Sequence, residues 1–231
     1  MSIHLLGHFA LTVGGTDVDL AAGPQRLAAY LALRGVTTRC RVAGELWPEA
    51  TQSRAMHSLR TAIWRINQAT HGLVHAAGGA LDLDPAADVD VRQMLLTSTT
   101  LLTTSSPPGR GLPPDVDLLP MWDDQWLVHD RERVRQLQLH LLEASADRLS
   151  SAGQYGLALE WALAAVRADP LRESAHRSVI RIHVAEGNLA EARRAYDTCA
   201  DLLQRELGVR PSARTSGVLV SAVRDVAVTG G

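Results

Sequence analysis

Between Ser53 and Ile66 the chain reads Ser53-Arg54-Ala55-Met56-His57-Ser58-Leu59-Arg60-Thr61-Ala62-Ile63-Trp64-Arg65-Ile66. Leu59, Ala62, Ile63 and Ile66 recur at the offsets of one helical stripe, while His57, Ser58, Arg60, Thr61 and Arg65 fall off it. The pattern predicts a helix with one buried face and one polar, basic face. Ser53 is placed to cap its first turn. Two readings fit this helix equally. In one it enters the major groove of DNA, where Arg pairs with guanine and Ser, Thr and His bond base edges or phosphates. In the other it is an ordinary amphipathic helix with a solvated arginine face.

Upstream, Ile3 to Val13 is strand-like, with Phe9, Leu11 and Val13 alternating, and Gly14-Gly15 predicts a tight turn into a short returning strand at Val18 and Leu20. Gly23-Pro24 is expected to break the sheet. Leu27, Tyr30, Leu31 and Leu33 then build a helix that Gly35 ends. Thr37 or Thr38 caps a second helix, with Val42, Leu46 and Trp47 inward and Pro48 as its stop. Arg39 and Arg41 fall in its first turn, an unfavourable place for cations unless an anion such as DNA phosphate meets them. Pro48 to Gln52 is a loop, and Gly72 ends the basic helix. Leu73 to His75 and Ala80 to Leu83 then flank Ala76 to Gly79 as a hairpin. Strands, helix, helix, basic helix and hairpin, in that order, are the plan of a winged helix with an N-terminal sheet.

The remainder is helical. Val91 to Leu102 is a short helix capped by Asp88 or Asp90, and Ser105 to Pro114 is a loop. Four stripes follow: Val134 to Leu149, Tyr155 to Val166, Leu171 to Ile182, and Leu189 to Leu203. Ala152-Gly153-Gln154-Tyr155-Gly156-Leu157-Ala158 is echoed by Glu186-Gly187-Asn188-Leu189-Ala190-Glu191-Ala192, a step of 34 residues from Gly153 to Gly187. That is the tetratricopeptide period, and small residues at 158 and 192 let helices approach closely. The expected fold is an α+β winged helix over residues 1–86, then an all-α tetratricopeptide-like array over residues 87–231.

Composition narrows the chemistry. All 23 basic residues are arginine, which rules out a Walker-type phosphate loop and Schiff-base or Ser-Lys mechanisms. From Arg26 to Arg65 seven arginines face only Glu45 and Glu49. Against a whole-chain charge of −2, that leaves the other residues strongly acidic. Cys40 and Cys199 stand far apart with no Cys/His ligand spacing, so neither zinc nor a disulfide framework is expected. The spacings of His71, His75, His129, His140, His176 and His183 match no ligand set, and no nucleophile or carboxylate pair can be assembled. No enzyme activity and no cofactor are expected. Without an apolar run of spanning length or a signal-peptide pattern in Met1 to Val13, a cytoplasmic, nucleoid-associated protein with no membrane partner is expected.

His57 to Ile66 resembles the recognition helix of the SARP group of actinomycete transcription activators, and Val42-Ala43-Gly44-Glu45-Leu46-Trp47-Pro48 resembles its preceding helix and loop. Asp117 to Arg133 is similar to the start of that family's bacterial transcriptional activator domain, and Glu206-Leu207-Gly208-Val209-Arg210-Pro211 to the link before its last helix. The resemblance implies an OmpR/PhoB-like winged helix joined to the activator domain. It also implies an activator that binds tandem direct repeats of double-stranded DNA near promoters, engages RNA polymerase and switches on specialised-metabolite genes, with a homodimer formed at least on DNA. Its DNA contacts would be Arg39, Arg41, Arg54, His57, Ser58, Arg60, Thr61, Trp64 and Arg65, with Arg60 at a base edge and Arg65 on phosphate. Trp64 lies along the DNA backbone or packs under the wing, packing being favoured. The loop Pro48, Glu49, Ala50, Thr51 and Gln52 would face polymerase. Asn67 and Gln68 stand where relatives are often more basic. The alternatives are a tetratricopeptide-like scaffold for a protein or small effector, and a repressor.

Overall fold

The computed structural model describes residues 1–103 and 116–229, so the predicted Ser105 to Pro114 loop lies outside the described residues. The described residues divide into two compact units, one of residues 1–96 with 116–135, the other of residues 97–103 with 136–229. The first unit therefore runs well past the boundary expected at residue 86.

In the first unit the N-terminal alternation forms two strands, β1 (Ser2–His4) and β2 (Ala10–Val13). Gly7, at φ +84°, turns the chain between them, in a conformation that costs glycine no Cβ clash. The returning strand β3 is Thr16–Asp17, earlier than Val18 and Leu20. The sheet runs β3-β2-β1-β7, with β1 antiparallel to β2 and parallel to β7 (Asp88–Val89). Ile3 sits between Leu11 and Val89 in register, and all three are buried. Asp90, expected as a simple helix cap, also ties the sheet to α4 (Asp90–Thr103). Its Oδ2 accepts the backbone N–H groups of Leu5 (2.8 Å) and Leu6 (3.0 Å).

Gly23-Pro24 does not break the sheet but lies in the first turn of α1 (Ala22–Arg34), where a proline forfeits no helical hydrogen bond. Gly35 closes that helix at φ +65°. After β4 (Thr37–Thr38), the Thr38 hydroxyl accepts the Arg41 N–H (3.4 Å) and caps α2 (Arg39–Leu46). Helices α1, α2 and α3 (Gln52–Thr70) enclose a core that includes Leu27, Tyr30, Val42, Leu46, Leu59 and Ile66, each at most 1% exposed. The hairpin β5 (Val74–Ala77) and β6 (Ala80–Leu83) joins β4 as a three-stranded sheet of order β4-β6-β5.

Residues 116–135 are stitched onto this unit. Gly7 N–H donates to the Asp117 carbonyl (2.8 Å), and Leu119 N–H donates to that of Leu5 (3.0 Å). Trp122 stacks on Phe9, and Trp126 meets the buried Tyr30 edge-on at 5.2 Å between ring centroids. Arg26 pairs with Asp124 and Arg34 with the buried Asp130. The Arg131 guanidinium donates to the carbonyls of Leu118, Leu119 and Trp122. Charge-assisted bonds of this kind are about twice as strong as neutral ones. Asp123 and Asp124 thus precede a short 3₁₀ turn (Gln125–Leu127) ahead of α5 (Val128–Ser151).

The second unit is a run of helical hairpins: the latter part of α5, then α6 (Tyr155–Ala168), α7 (Glu173–Ala185), α8 (Leu189–Leu207) and α9 (Ala213–Thr229). The 34-residue echo has a physical basis here. Gly153 and Gly187 both take left-handed φ (+73° and +84°) two residues before α6 and α8, and Ala158 and Ala192 are both fully buried. Leu142, Trp161, Ala162, Ala175, Val179 and Ile182 form the core. Leu171, expected on the third stripe, is 39% exposed because α7 begins only at Glu173.

One carboxylate tethers α9. Glu173 Oε1 accepts the Ser212 N–H (3.0 Å), the Ser212 hydroxyl and the Thr215 hydroxyl. Burial pushes this carboxyl up, but the Ser212 and Thr215 bonds and the nearby Arg177 outweigh it and hold the group below its ordinary value. A carboxylate depressed in the folded state stabilises fully above its unfolded value and loses that contribution as pH falls through the folded one. Thermal melts of wild type and Glu173→Gln should therefore differ most at neutral pH and converge as pH drops below about 4.3. A gap independent of pH would contradict the tether.

Candidate nucleic-acid interface

Helix α3 carries Ala55, Leu59, Ala62, Ile66 and Thr70 on its buried face. Steps of four, three, four and four residues keep this stripe on one side of a 3.6-residue helix. On the other side Arg54, His57, Arg60, Trp64 and Arg65 are exposed, with Ser58 and Thr61 half-buried at the edges. The helix starts at Gln52 behind Thr51, so Ser53 lies inside the first turn rather than capping it, and Gln52 belongs to the helix rather than to the loop. Its C-terminal end is His71 in the left-handed conformation (φ 57°), one residue before the expected Gly72.

Trp64 is 61% exposed. It does not pack under the wing, which corrects the favoured sequence reading. Arg54, Arg60 and Arg65 have no carboxylate within ion-pairing distance among the described residues, and neither has Arg39. Arg41 is different, because its Nε lies 3.0 Å from Glu45 one turn further along α2. That exposed pair gives the Arg41 charge a partner on its own helix. Arg65 and Gln68 line a shallow depression of about 320 Å³ with Asp19, Leu20, Ala21 and Pro24, beside the uncapped start of α1.

The residue missed from sequence is Asn67. Its side-chain amide donates to the Val74 carbonyl and accepts the Val74 N–H, both at 2.8 Å. It bonds the first residue of the hairpin as a neighbouring strand would, fixing the wing to α3. Nothing in the local pattern reveals a partner seven residues away across a turn. The wing itself is bare. From Ala76 to Ala80 no side chain exceeds a methyl group, and Gly78 and Gly79 form the turn at φ +57° and +84°. The α2–α3 loop leaves Pro48, Glu49 and Thr51 exposed and Ala50 half-buried, beside a depression of about 300 Å³ lined in part by Ala43, Trp47, Gln52 and Met56.

Among the described residues no three His, Cys, Asp or Glu side chains come together as a metal site. Both cysteines are free, and burial pushes the Cys199 thiol up to about 11. No described helix is long and apolar enough to cross a membrane.

Residues 115–220 match the family described as bacterial transcriptional activator domain. That match spans a little under half of the chain. A solved structure with the same fold is Mycobacterium tuberculosis EmbR, determined in complex with a low-affinity phosphopeptide, at TM-score 0.80 and 16% identity. The match covers 97% of this chain and 65% of EmbR, so the chain spans about two thirds of that protein's length. At that identity the likeness establishes the fold, a winged helix followed by a tetratricopeptide-like helical array. No curated protein sequence matches the chain.

Proposed function

We propose that this SARP-type chain binds duplex DNA through the exposed face of α3, as an activator seated on tandem direct repeats beside promoters. The observation that carries the reading is the arginine set Arg39, Arg54, Arg60 and Arg65, with no carboxylate within ion-pairing distance among the described residues of a chain whose net charge is negative. Free guanidinium groups on the exposed face of α3, with Arg39 at the start of α2, match phosphates and guanine edges. Arg60, in mid-helix between His57 and Trp64, is the base-reading side chain, and Arg65, beside the start of α1, holds phosphate. His57, Ser58 and Thr61 supply further hydrogen bonds. Two copies lie head to tail on one face of the duplex, and the exposed Pro48 to Thr51 loop meets RNA polymerase. The regulated genes belong to specialised metabolism, as in the SARP group, and the protein works at the nucleoid.

The test is the salt dependence of binding to duplexes that the full chain selects from a random pool. If Arg39, Arg54 and Arg65 each neutralise phosphate charge, log K should fall with log salt at a slope of about −2 to −3 per copy. Inserting half a helical turn, about 5 bp, between repeats should abolish cooperativity. A shallow slope with no selected motif would overturn the reading in favour of a helical scaffold for a protein or small effector.

A further inference from the structure

A wing that contacts DNA ordinarily needs a donor at its tip, and this one has none. Across Ala76, Ala77, Gly78, Gly79 and Ala80 the tip is backbone and methyl groups, and a Cβ added at either glycine would meet nothing within 4 Å. The nearest polar wing side chains, His75 and Asp82, face each other in register further from the turn. The tip is therefore a slender, uncharged ribbon, narrow enough to approach a confined groove but unable to bond its floor with a side chain.

The missing cation stands next door. Strand β4 continues the wing sheet, with Thr38 opposite Ala80, and the next residue donates its backbone N–H to the carbonyl of Gly79 at 3.2 Å. That residue is Arg39. It is half-buried, so its backbone is fixed at the hairpin turn, and its guanidinium has no carboxylate within ion-pairing distance among the described residues. Arg41, two residues on, is occupied by Glu45. A free guanidinium anchored at the turn of a bare hairpin fits a narrow A·T-rich minor groove. There the phosphates crowd together, the negative potential is strongest, and arginine is the preferred occupant.

We infer that Arg39, delivered from the start of α2, reads the minor groove in place of a wing side chain, making the protein sensitive to A·T pairs that α3 does not touch. This rests on the DNA-binding reading above and adds a second specificity site to it. The chemistry is separable, because replacing adenine by 2,6-diaminopurine adds an amino group to the minor-groove floor and leaves the major-groove edge of the pair unchanged.

The full chain, Arg39→Ala and Arg60→Ala would each be titrated against one selected duplex and against copies carrying a single diaminopurine at each adenine in turn. Wild type should lose about tenfold in affinity at one or two adjacent pairs, the usual scale for one mismatched contact. Arg39→Ala should be about tenfold weaker on the unmodified duplex and indifferent to diaminopurine, while Arg60→Ala should be weaker yet keep the wild-type sensitivity. Tolerance of diaminopurine at every adenine, or an Arg39→Ala variant as sensitive as wild type, would overturn the inference while DNA binding stood. Failure of wild type to select any duplex would overturn both. Unchanged circular dichroism of the variants ties each loss to contact rather than folding.

Discussion

A fragment ending at Thr103 should fail to unfold cooperatively, whereas one ending at Arg135 should melt as a single unit. The shorter fragment lacks Leu118, Leu119 and Leu127, each at most 1% exposed, and Trp126 at 8%. At about 1.5–3 kcal/mol for each large apolar side chain buried, their loss removes roughly 6–12 kcal/mol. That is comparable with the entire stability of a typical domain, about 5–15 kcal/mol. The cut also strips Arg26 and Arg34 of Asp124 and Asp130 and exposes the Tyr30 ring. Urea unfolding followed by far- and near-ultraviolet circular dichroism checks this. A shorter fragment with a transition as sharp as the longer one's would show that residues 116–135 are not part of the N-terminal unit.

This dependence explains why the compact unit and the helical periodicity divide the chain at different residues. The activator-domain family begins at residue 115, yet its first twenty or so residues belong physically to the N-terminal unit. A boundary drawn where helical periodicity takes over ignores which residues pack together. Long-range pairing also hid β7, two residues long and recognisable only through its partner β1. Features set by local geometry were legible. The α3 stripe, the glycine turns before α6 and α8, and the Thr38 cap all follow from helical spacing, from glycine's tolerance of positive φ and from a hydroxyl beside free N–H groups.

Trp64 shows where local reasoning slipped. Its size and apolarity suggested packing, but it stands five residues from Leu59, a rotation of about 140° at 3.6 residues per turn, and so falls on the face away from the core. Asn67 was legible in neither direction. Read as an absent phosphate contact, it instead holds the wing through two hydrogen bonds to Val74. The wing is thus positioned by an amide and, in the inference above, armed by Arg39, two duties that a linear pattern assigns to other residues.

Neighbouring substitutions on α3 should have opposite consequences. Leu59 is fully buried on the core face of α3, and Leu59→Ala should cost about 2–5 kcal/mol, the lost transfer energy plus the cavity it leaves. Arg60, one residue on, is exposed with no ion-pair partner among the described residues. Arg60→Ala should leave stability within about 0.5 kcal/mol but weaken binding to the selected duplex roughly tenfold to a hundredfold, the value of one bidentate base contact. Melting curves and fluorescence anisotropy on the same preparations separate the two effects. The loss in Leu59→Ala should shrink on cooling to where the variant is fully folded, while that in Arg60→Ala should persist at every temperature. Equal stability losses would mean that the two faces of α3 are not divided as described. An Arg60→Ala variant with undiminished affinity would move the base-reading role elsewhere on the helix, with Trp64 and Arg65 the next side chains to replace.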